Sequence, residues 1–203
     1  MSAVQERVNL ALFQSHSYHP GRSLLVQCAW FFVGLPLLRS AWIPSSSFRR
    51  WLLRLFGADI AQGVVIKPGV RVKFPWKLTA GRNCWIGEDA WIDNLAHVTL
   101  GRDVCLSQGV YLCTGNHDWS DPAFGLRIES IQIDDGAWVA ARASLAPGVR
   151  IGTHAVVGLG AVVSANVPAY AVYTGNPACL KRWRSITPKD DSVSMPGGVA
   201  CSS

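Results

Sequence analysis

Between Cys113 and Asp118 the chain reads Cys-Thr-Gly-Asn-His-Asp, and His117 is the side chain there best suited to move protons. An imidazole exchanges its proton near neutral pH, so it can deprotonate a hydroxyl as that hydroxyl attacks a carbonyl. Cys113 stands four residues earlier and raises a second chemistry, a Cys–His acyl-enzyme. Its place next to a residue that the pattern turns inward, Leu112, gives no reason for the thiol to reach the imidazole, and this chemistry is set aside. Asp93, Asn94 and His97 form a second polar group upstream, and Lys77, His97 and His117 recur at intervals of twenty. A basic column of that kind suits a polar substrate; a solvated edge is the competing account, above all for Lys77. For Asp93-Asn94 the competing account is a turn, and for His117 it is a histidine that caps a loop.

The elements that hold these residues follow from a repeat. Ile133, Val139, Leu145, Ile151, Val157 and Val163 are six apart, and a small or aliphatic residue comes four after each: Ala137, Ala143, Val149, Ala155, Ala161, Val167. A helix repeats at ~3.6 and a strand at ~2, so neither explains this period. A six-residue unit of one short strand and one corner closes a triangle after three units, and stacked triangles give a parallel β-helix whose coils lie ~4.8 Å apart. Upstream the rule holds in blocks, Ile60/Ile66/Val72, Ala80/Ile86/Ile92 and Leu100/Leu106/Leu112, with two extra residues after each of the first two. Ala80 and Trp76 fit it poorly. This predicts about five coils, an all-β body over 58–176, with His117 the last residue of the third coil and an excursion over 118–132. Long excursions from a repeat scaffold commonly carry function.

The chain has 203 residues, 49% of them hydrophobic and 16% charged, which suits one ordered domain with an appended element. The net charge of +6 belongs to the ends: residues 1–57 carry six arginines against Glu6, whereas residues 58–180 carry nine basic and ten acidic residues. That distribution argues against nucleic acid, which needs a basic stripe across the body. Six scattered cysteines without a C-x-x-C pair read as reduced thiols of a cytoplasmic protein. Leu24 to Leu38 is the longest apolar run; it is shorter than the ~20 residues of a membrane span and contains Pro36. Residues 1–57 therefore read as a helical segment packed on the body. Its mixture of Trp and Phe with Arg39, Arg49, Arg50 and Arg54 also suits peripheral contact of residues 22–56 with a membrane surface. Residues 177–203 read as a turn, a short helix over "ACLKRWRSI" and a disordered tail after Thr187.

"IGEDAWIDNLAHVTLGRDVCLSQGVYLCTGNHDWSDPAF" and "DDGAWVAARASLAPGVRIGTHAVVGLGAVVSANVPAYAVYTGNPACLKRW" resemble the hexapeptide-repeat acetyltransferases. Within them the likeness is to the colanic acid biosynthesis branch, related to the maltose, galactoside and nodulation-factor O-acetyltransferases. It spans roughly Tyr18 to Arg184, and the T-G-x-H-D element and closing G-N-P-A are its specific parts. The resemblance implies a left-handed β-helix, a homotrimer with active sites between subunits, acetyl-CoA as donor and a sugar or polysaccharide-precursor hydroxyl as acceptor. It implies His117 as the catalytic base, Asp93 and Asn94 on the acceptor side, where the basic column adds His97, and Trp138, Ala141, Leu159, Ser164, Ala165, Lys181 and Arg182 on the CoA side. Where relatives often carry Thr-Lys this chain has Ser164-Ala165, leaving Lys181, Arg182 and Arg184 to meet phosphate. The reduced thiols place the work in the cytoplasm, and the apolar, basic N-terminus points to a lipid-linked acceptor at the inner membrane surface.

Two other readings compete. A β-helix that serves only as a trimerising scaffold would not need an excursion rooted in a histidine. A zinc hydrase on the same fold needs three clustered histidines, and here Pro122 stands five residues after His117 while His154 lies in a turn-like Gly-Thr-His. No metal is expected. Acylation of an amino sugar, or transfer of another acyl group, remains open at this stage.

Overall fold

The computed structural model describes residues 7–13 and 18–187. The six-residue spacing becomes a three-sided parallel solenoid. Its first face stacks Asp59–Ile60, Leu78–Ala80, Val98–Leu100, Ile131–Ile133 and Arg150–Ile151. The second stacks Val65–Ile66, Trp85–Ile86, Cys105–Leu106, Trp138–Val139, Val156–Val157 and Ala171–Thr174, and the third runs from Arg71–Val72 to Val162–Val163. The register is the one read from the repeat: Ile60 pairs with Ala80, Ala80 with Leu100, Leu100 with Ile133, and Ile133 with Ile151. Five complete coils are followed by the start of a sixth, where Val167 bridges to Ile151.

The core is the inside of the prism. The large aliphatics and the small residues four positions on are all buried, among them Ile66, Val70, Leu106, Val110, Val157 and Ala161. Each large aliphatic contributes about 1.5–3 kcal/mol by leaving water. Ala80 is buried too, and its fit was only a matter of size. Trp76 departs from the pattern: it sits in a short 3₁₀ turn, Pro75–Lys77, and its indole N–H donates 2.7 Å to Pro20 O.

Two kinds of corner result. Most carry one residue in the left-handed region three positions after the inward aliphatic, such as Asn83, Asp103, Arg142 and His154. At the third corner of the first three coils, no residue in 73–77, 93–97 or 113–117 has positive φ. These are the corners with extra residues, and several of their backbone groups, among them Phe74 N, Lys77 O and Ala96 N, are not paired with backbone of the next coil. Buried polar side chains take that place. Asn94 accepts from Phe74 N (3.0 Å) and donates to Phe74 O (2.8 Å) and Lys77 O (2.9 Å). Thr114 accepts from Ala96 N and donates to Asp93 O, each at 3.0 Å. Among the described residues, Asn94, Thr114 and Arg49 are the buried polar side chains.

The helical segment closes the open end of the first coil. It comprises α1 (Leu24–Ala29), a widened turn over Trp30–Gly34, α2 (Leu35–Arg39) and α3 (Ser46–Leu55). Pro36 lacks an N–H, and the helix meets it with that wider turn. Gly34 is fixed by packing, because a Cβ there would run into the Trp30 ring. Trp30 is buried and donates 3.0 Å to Val72 O. Arg50 donates 2.6 Å to Val64 O, Arg54 2.7 Å to Ile60 O, and Ser46 Oγ accepts from Ile66 N at 2.9 Å. These contacts satisfy a sheet edge that would otherwise be unpaired. Arg49 has no exposed surface; it donates to Leu38 O, Ser40 O and Ile43 O, and burial lowers its pKa. The arginines expected at a membrane surface are thus largely engaged in holding the fold.

At the other end the expected short helix is absent. Cys179–Trp183 is a strand, antiparallel to Ala171–Thr174 through the turn at Gly175-Asn176-Pro177. The last edge of the second face offers unpaired backbone groups, and pairing with them outweighs the modest helix propensity of Cys-Leu-Lys-Arg-Trp. The expected disordered tail lies outside the described residues.

Candidate active site

His117 ends the short strand Gly115–His117, which pairs antiparallel with Leu126–Ile128. The excursion is therefore a hairpin that begins before His117 rather than after it, and the histidine projects from the hairpin's first strand. Its Nδ1 lies 2.8 Å from Phe124 O. A carbonyl oxygen only accepts, so Nδ1 carries the hydrogen, and in the neutral ring the lone pair is on Nε2. Phe124 has φ 52, in the left-handed region that a bulky residue rarely adopts. Its ring stacks on the imidazole with centroids 4.4 Å apart and planes 10° apart. Strain of this kind clusters where a site needs a carbonyl aimed against local preference.

A second ring reaches His117 from the N-terminal segment. Phe13 lies 5.7 Å from it at 61°. That segment is anchored at several points. Asn9 N donates to Pro122 O at 2.9 Å. Lys77 Nζ donates to Leu95 O (2.6 Å), His19 O (3.2 Å) and Tyr18 Oη (3.4 Å). Lys77 is a clip for the chain, and burial lowers its pKa. Burial, with a smaller push from the Asp93 charge, raises Tyr18 to about 12.

Asp93 is half-enclosed one coil before Cys113. Lys73 Nζ lies 2.9 Å from its Oδ1. Oδ1 is buried, and apart from this ion pair it accepts no hydrogen bond. Tyr111 donates to Oδ2 at 3.4 Å, and its pKa is raised by burial first and then by Cys113 and Asp93. Cys113 Sγ donates to Gly115 O at 3.1 Å. His97 is exposed and its Nε2 lies 2.9 Å from Thr79 Oγ1. Asn94, expected on the acceptor side, is fully buried with its amide engaged by backbone, so in this chain it braces the corner.

The expected donor residues lie elsewhere. Trp138 is half-exposed on the second face and donates 3.0 Å to Ser107 Oγ. With Trp85, Cys105 and Gln108 it lines a cleft of about 430 Å³. Ala141 and the exposed Leu159 occupy successive corners between the second and third faces, where Gly160 N donates 2.9 Å to Ala141 O. Lys181 and Arg182 are exposed on the closing strand, and Ser164 and Ala165 are exposed two coils beyond His117. The fold thus gathers Asp93, His97 and His117 on one set of corners and puts most donor residues on another. Sequence reasoning missed Phe13, Phe124, Lys73 and Tyr111. The twenty-residue spacing already places Lys73 one coil from Asp93, whereas the aromatic pair lies in segments without periodicity. Among the described residues, no three His, Cys, Asp or Glu side chains come together as a metal group.

No family model matches the chain. It is 40% identical over 172 residues to the putative colanic acid biosynthesis acetyltransferase WcaF of Escherichia coli K12, covering 84% of this chain and 93% of that one. Its structure resembles a hexapeptide-repeat acetyltransferase of Vibrio cholerae O1 biovar eltor solved with acetyl-CoA, with a TM-score of 0.71, 21% identity and coverage of 78% and 87%. It also resembles a maltose O-acetyltransferase of Clostridium difficile 630, with a TM-score of 0.70, 20% identity and coverage of 81% and 90%. The repeat, its three-sided solenoid and the likeness to WcaF over most of both chains together show that this chain belongs to the hexapeptide-repeat acetyltransferase family.

Proposed function

We propose that the protein transfers an acetyl group from acetyl-CoA to a sugar hydroxyl during synthesis of a colanic-acid-like exopolysaccharide, with His117 as general base. The observation that carries this reading is the 2.8 Å contact of His117 Nδ1 with Phe124 O, which leaves Nε2 as the proton acceptor. In the reaction, Nε2 takes the acceptor's hydroxyl proton as its oxygen attacks the thioester carbonyl. The tetrahedral oxyanion collapses, the C–S bond breaks, and the imidazolium returns the proton to the departing thiolate. The acetylated sugar and free CoA leave, with no enzyme-bound acyl group in between.

Asp93 and His97 stand on the acceptor side of this reading. Asp93 is held by Lys73 Nζ (2.9 Å) and Tyr111 Oη (3.4 Å), and in this reading its carboxylate orients the acceptor hydroxyl. Trp138, Ala141, Leu159, Ser164, Ala165, Lys181 and Arg182 are the donor side, the last two supplying charge for CoA phosphates. Because most donor residues lie on different corners from His117, a homotrimer in which one subunit's donor face meets its neighbour's His117 supports catalysis better than a single chain. The reading places the work in the cytoplasm, with residues 22–56 against the inner membrane surface.

The test is thiol release from acetyl-CoA across a panel of sugar acceptors, for the wild type and His117→Ala. Acceptor-dependent release should fall at least ~100-fold in the variant while its oligomeric state stays unchanged. A variant that keeps the wild-type rate removes His117 from the mechanism.

A further inference from the structure

The segment that closes the first coil leaves one whole side of its helix bare. Trp30, Gly34 and Leu38 are buried against the solenoid. On the remaining surface Leu24 is 74% exposed, Leu25 82%, Phe31 61%, Phe32 71% and Val33 57%. Between Arg22 and Arg39 the sequence holds no charged residue, and between Tyr18 and Gly57 it holds no acidic one. Trp42 is 96% exposed in the following loop, and α3 exposes Trp51 and Leu55 one turn apart beside Arg54. A concavity of about 900 Å³ opens here between Phe31, Phe32, Leu35, Pro36 and Arg39, and His117 is not among the residues that line it. Its acidic residues, Glu88 and Asp89, belong to the second coil.

We propose that this end of the molecule is a docking face for an anionic lipid bilayer, with Leu24, Leu25, Phe31 and Phe32 entering the headgroup–acyl boundary and Arg22 and Arg39 meeting lipid phosphate. A helix lying in a membrane interface needs an apolar side, cationic flanks and aromatic residues at its margin, and this one has all three. Sixteen residues from Leu24 to Arg39 reach only about 24 Å, which suits lying flat. Among the described residues no helix is long and apolar enough to cross a membrane. Neither Arg22 nor Arg39 forms an ion pair among the described residues, so both charges are available to lipid. The charge pattern is what selects lipid over a second copy of the chain, because two such faces would bring their arginines together. This inference deepens the reading of residues 22–56 given above by fixing the face and the lipid charge.

The experiment is flotation of the full-length protein with phosphatidylglycerol-rich vesicles and with phosphatidylcholine vesicles, at low and raised salt, without acceptor or donor. Binding is expected to the anionic vesicles and to weaken with salt. Phe31→Ser with Phe32→Ser should weaken it by at least about tenfold per ring, and Arg22→Gln with Arg39→Gln should remove most of the salt dependence. Failure of the wild type to float at low salt overturns the proposal, as does unchanged binding by the Phe variant. If the wild type does not float and the Phe variant sediments as a smaller species, the face is a contact between subunits. Since no turnover is measured, this outcome is independent of whether His117 is the base.

Discussion

Phe124 holds His117 twice, through its carbonyl oxygen 2.8 Å from Nδ1 and through its ring stacked 4.4 Å from the imidazole. The first contact selects a tautomer and the second fixes the ring plane. Both depend on the left-handed backbone at Phe124. Phe124→Gly separates them, because glycine adopts that backbone freely, keeps the carbonyl and loses the ring. We expect kcat to fall about three- to tenfold, the scale of an aromatic contact, with the KM for acetyl-CoA unchanged. Steady-state kinetics with varied donor decides it, and a wild-type kcat would show that the carbonyl alone suffices.

Tyr18 reports on the N-terminal segment that carries Phe13 toward His117. An exposed phenol ionises near ~10, whereas Tyr18 is pushed up to about 12 by burial and then by Asp93. Its folded pKa is raised, so the stability it contributes is full below ~10 and is lost as pH rises through about 12. Alkaline difference titration of the wild type against Tyr18→Phe should lack a step near 12 in the variant. If the missing step lies near ~10, the segment does not enclose Tyr18.

Asn94 separates bracing from binding. Asn94→Ala leaves Phe74 N–H, Phe74 C=O and Lys77 C=O without their partner inside the corner. We expect a loss of about 2–4 kcal/mol, measured by denaturant unfolding. Asn94→Asp should also destabilise, since a carboxylate still accepts from Phe74 N–H but repels both carbonyls. A variant with wild-type stability and a raised acceptor KM would instead return Asn94 to the acceptor side.

The coils were legible because a prism has one inside: every sixth residue must be apolar, and a slip of one position would expose it. Ile60, Ala80, Leu100, Ile133 and Ile151 pair as the spacing requires. His117 was legible as the root of an interruption. Its partners were not, because the pairing of Gly115–His117 with Leu126–Ile128 and the approach of Phe13 rest on contacts between segments that share no period. The closing strand was misread for a related reason. Cys179–Trp183 takes its conformation from the open edge beside it, and a sheet edge has no signature in the residues that will join it.

Arg49 marks the same limit at the other end. Among four arginines and several aromatics it read as a surface cation, yet it is the one fully buried, and it joins the end of α2 to the loop before α3 through Leu38 O (3.0 Å), Ser40 O (2.7 Å) and Ile43 O (2.6 Å). Three carbonyls converging on a fork-shaped cation explain why its charge is tolerated there. Arg49→Met keeps most of the volume but leaves those carbonyls unsatisfied, and we expect a loss of about 3–5 kcal/mol. Arg49→Lys should recover only part, because an ammonium cannot reproduce the planar fork. Thermal unfolding of the two variants, with the bound fraction on anionic vesicles measured alongside, checks both claims. Lower melting temperature in the order wild type, Lys, Met, with vesicle binding retained by the folded Lys variant, identifies Arg49 as a structural tie. Unchanged melting with lost vesicle binding would instead place it at the lipid face.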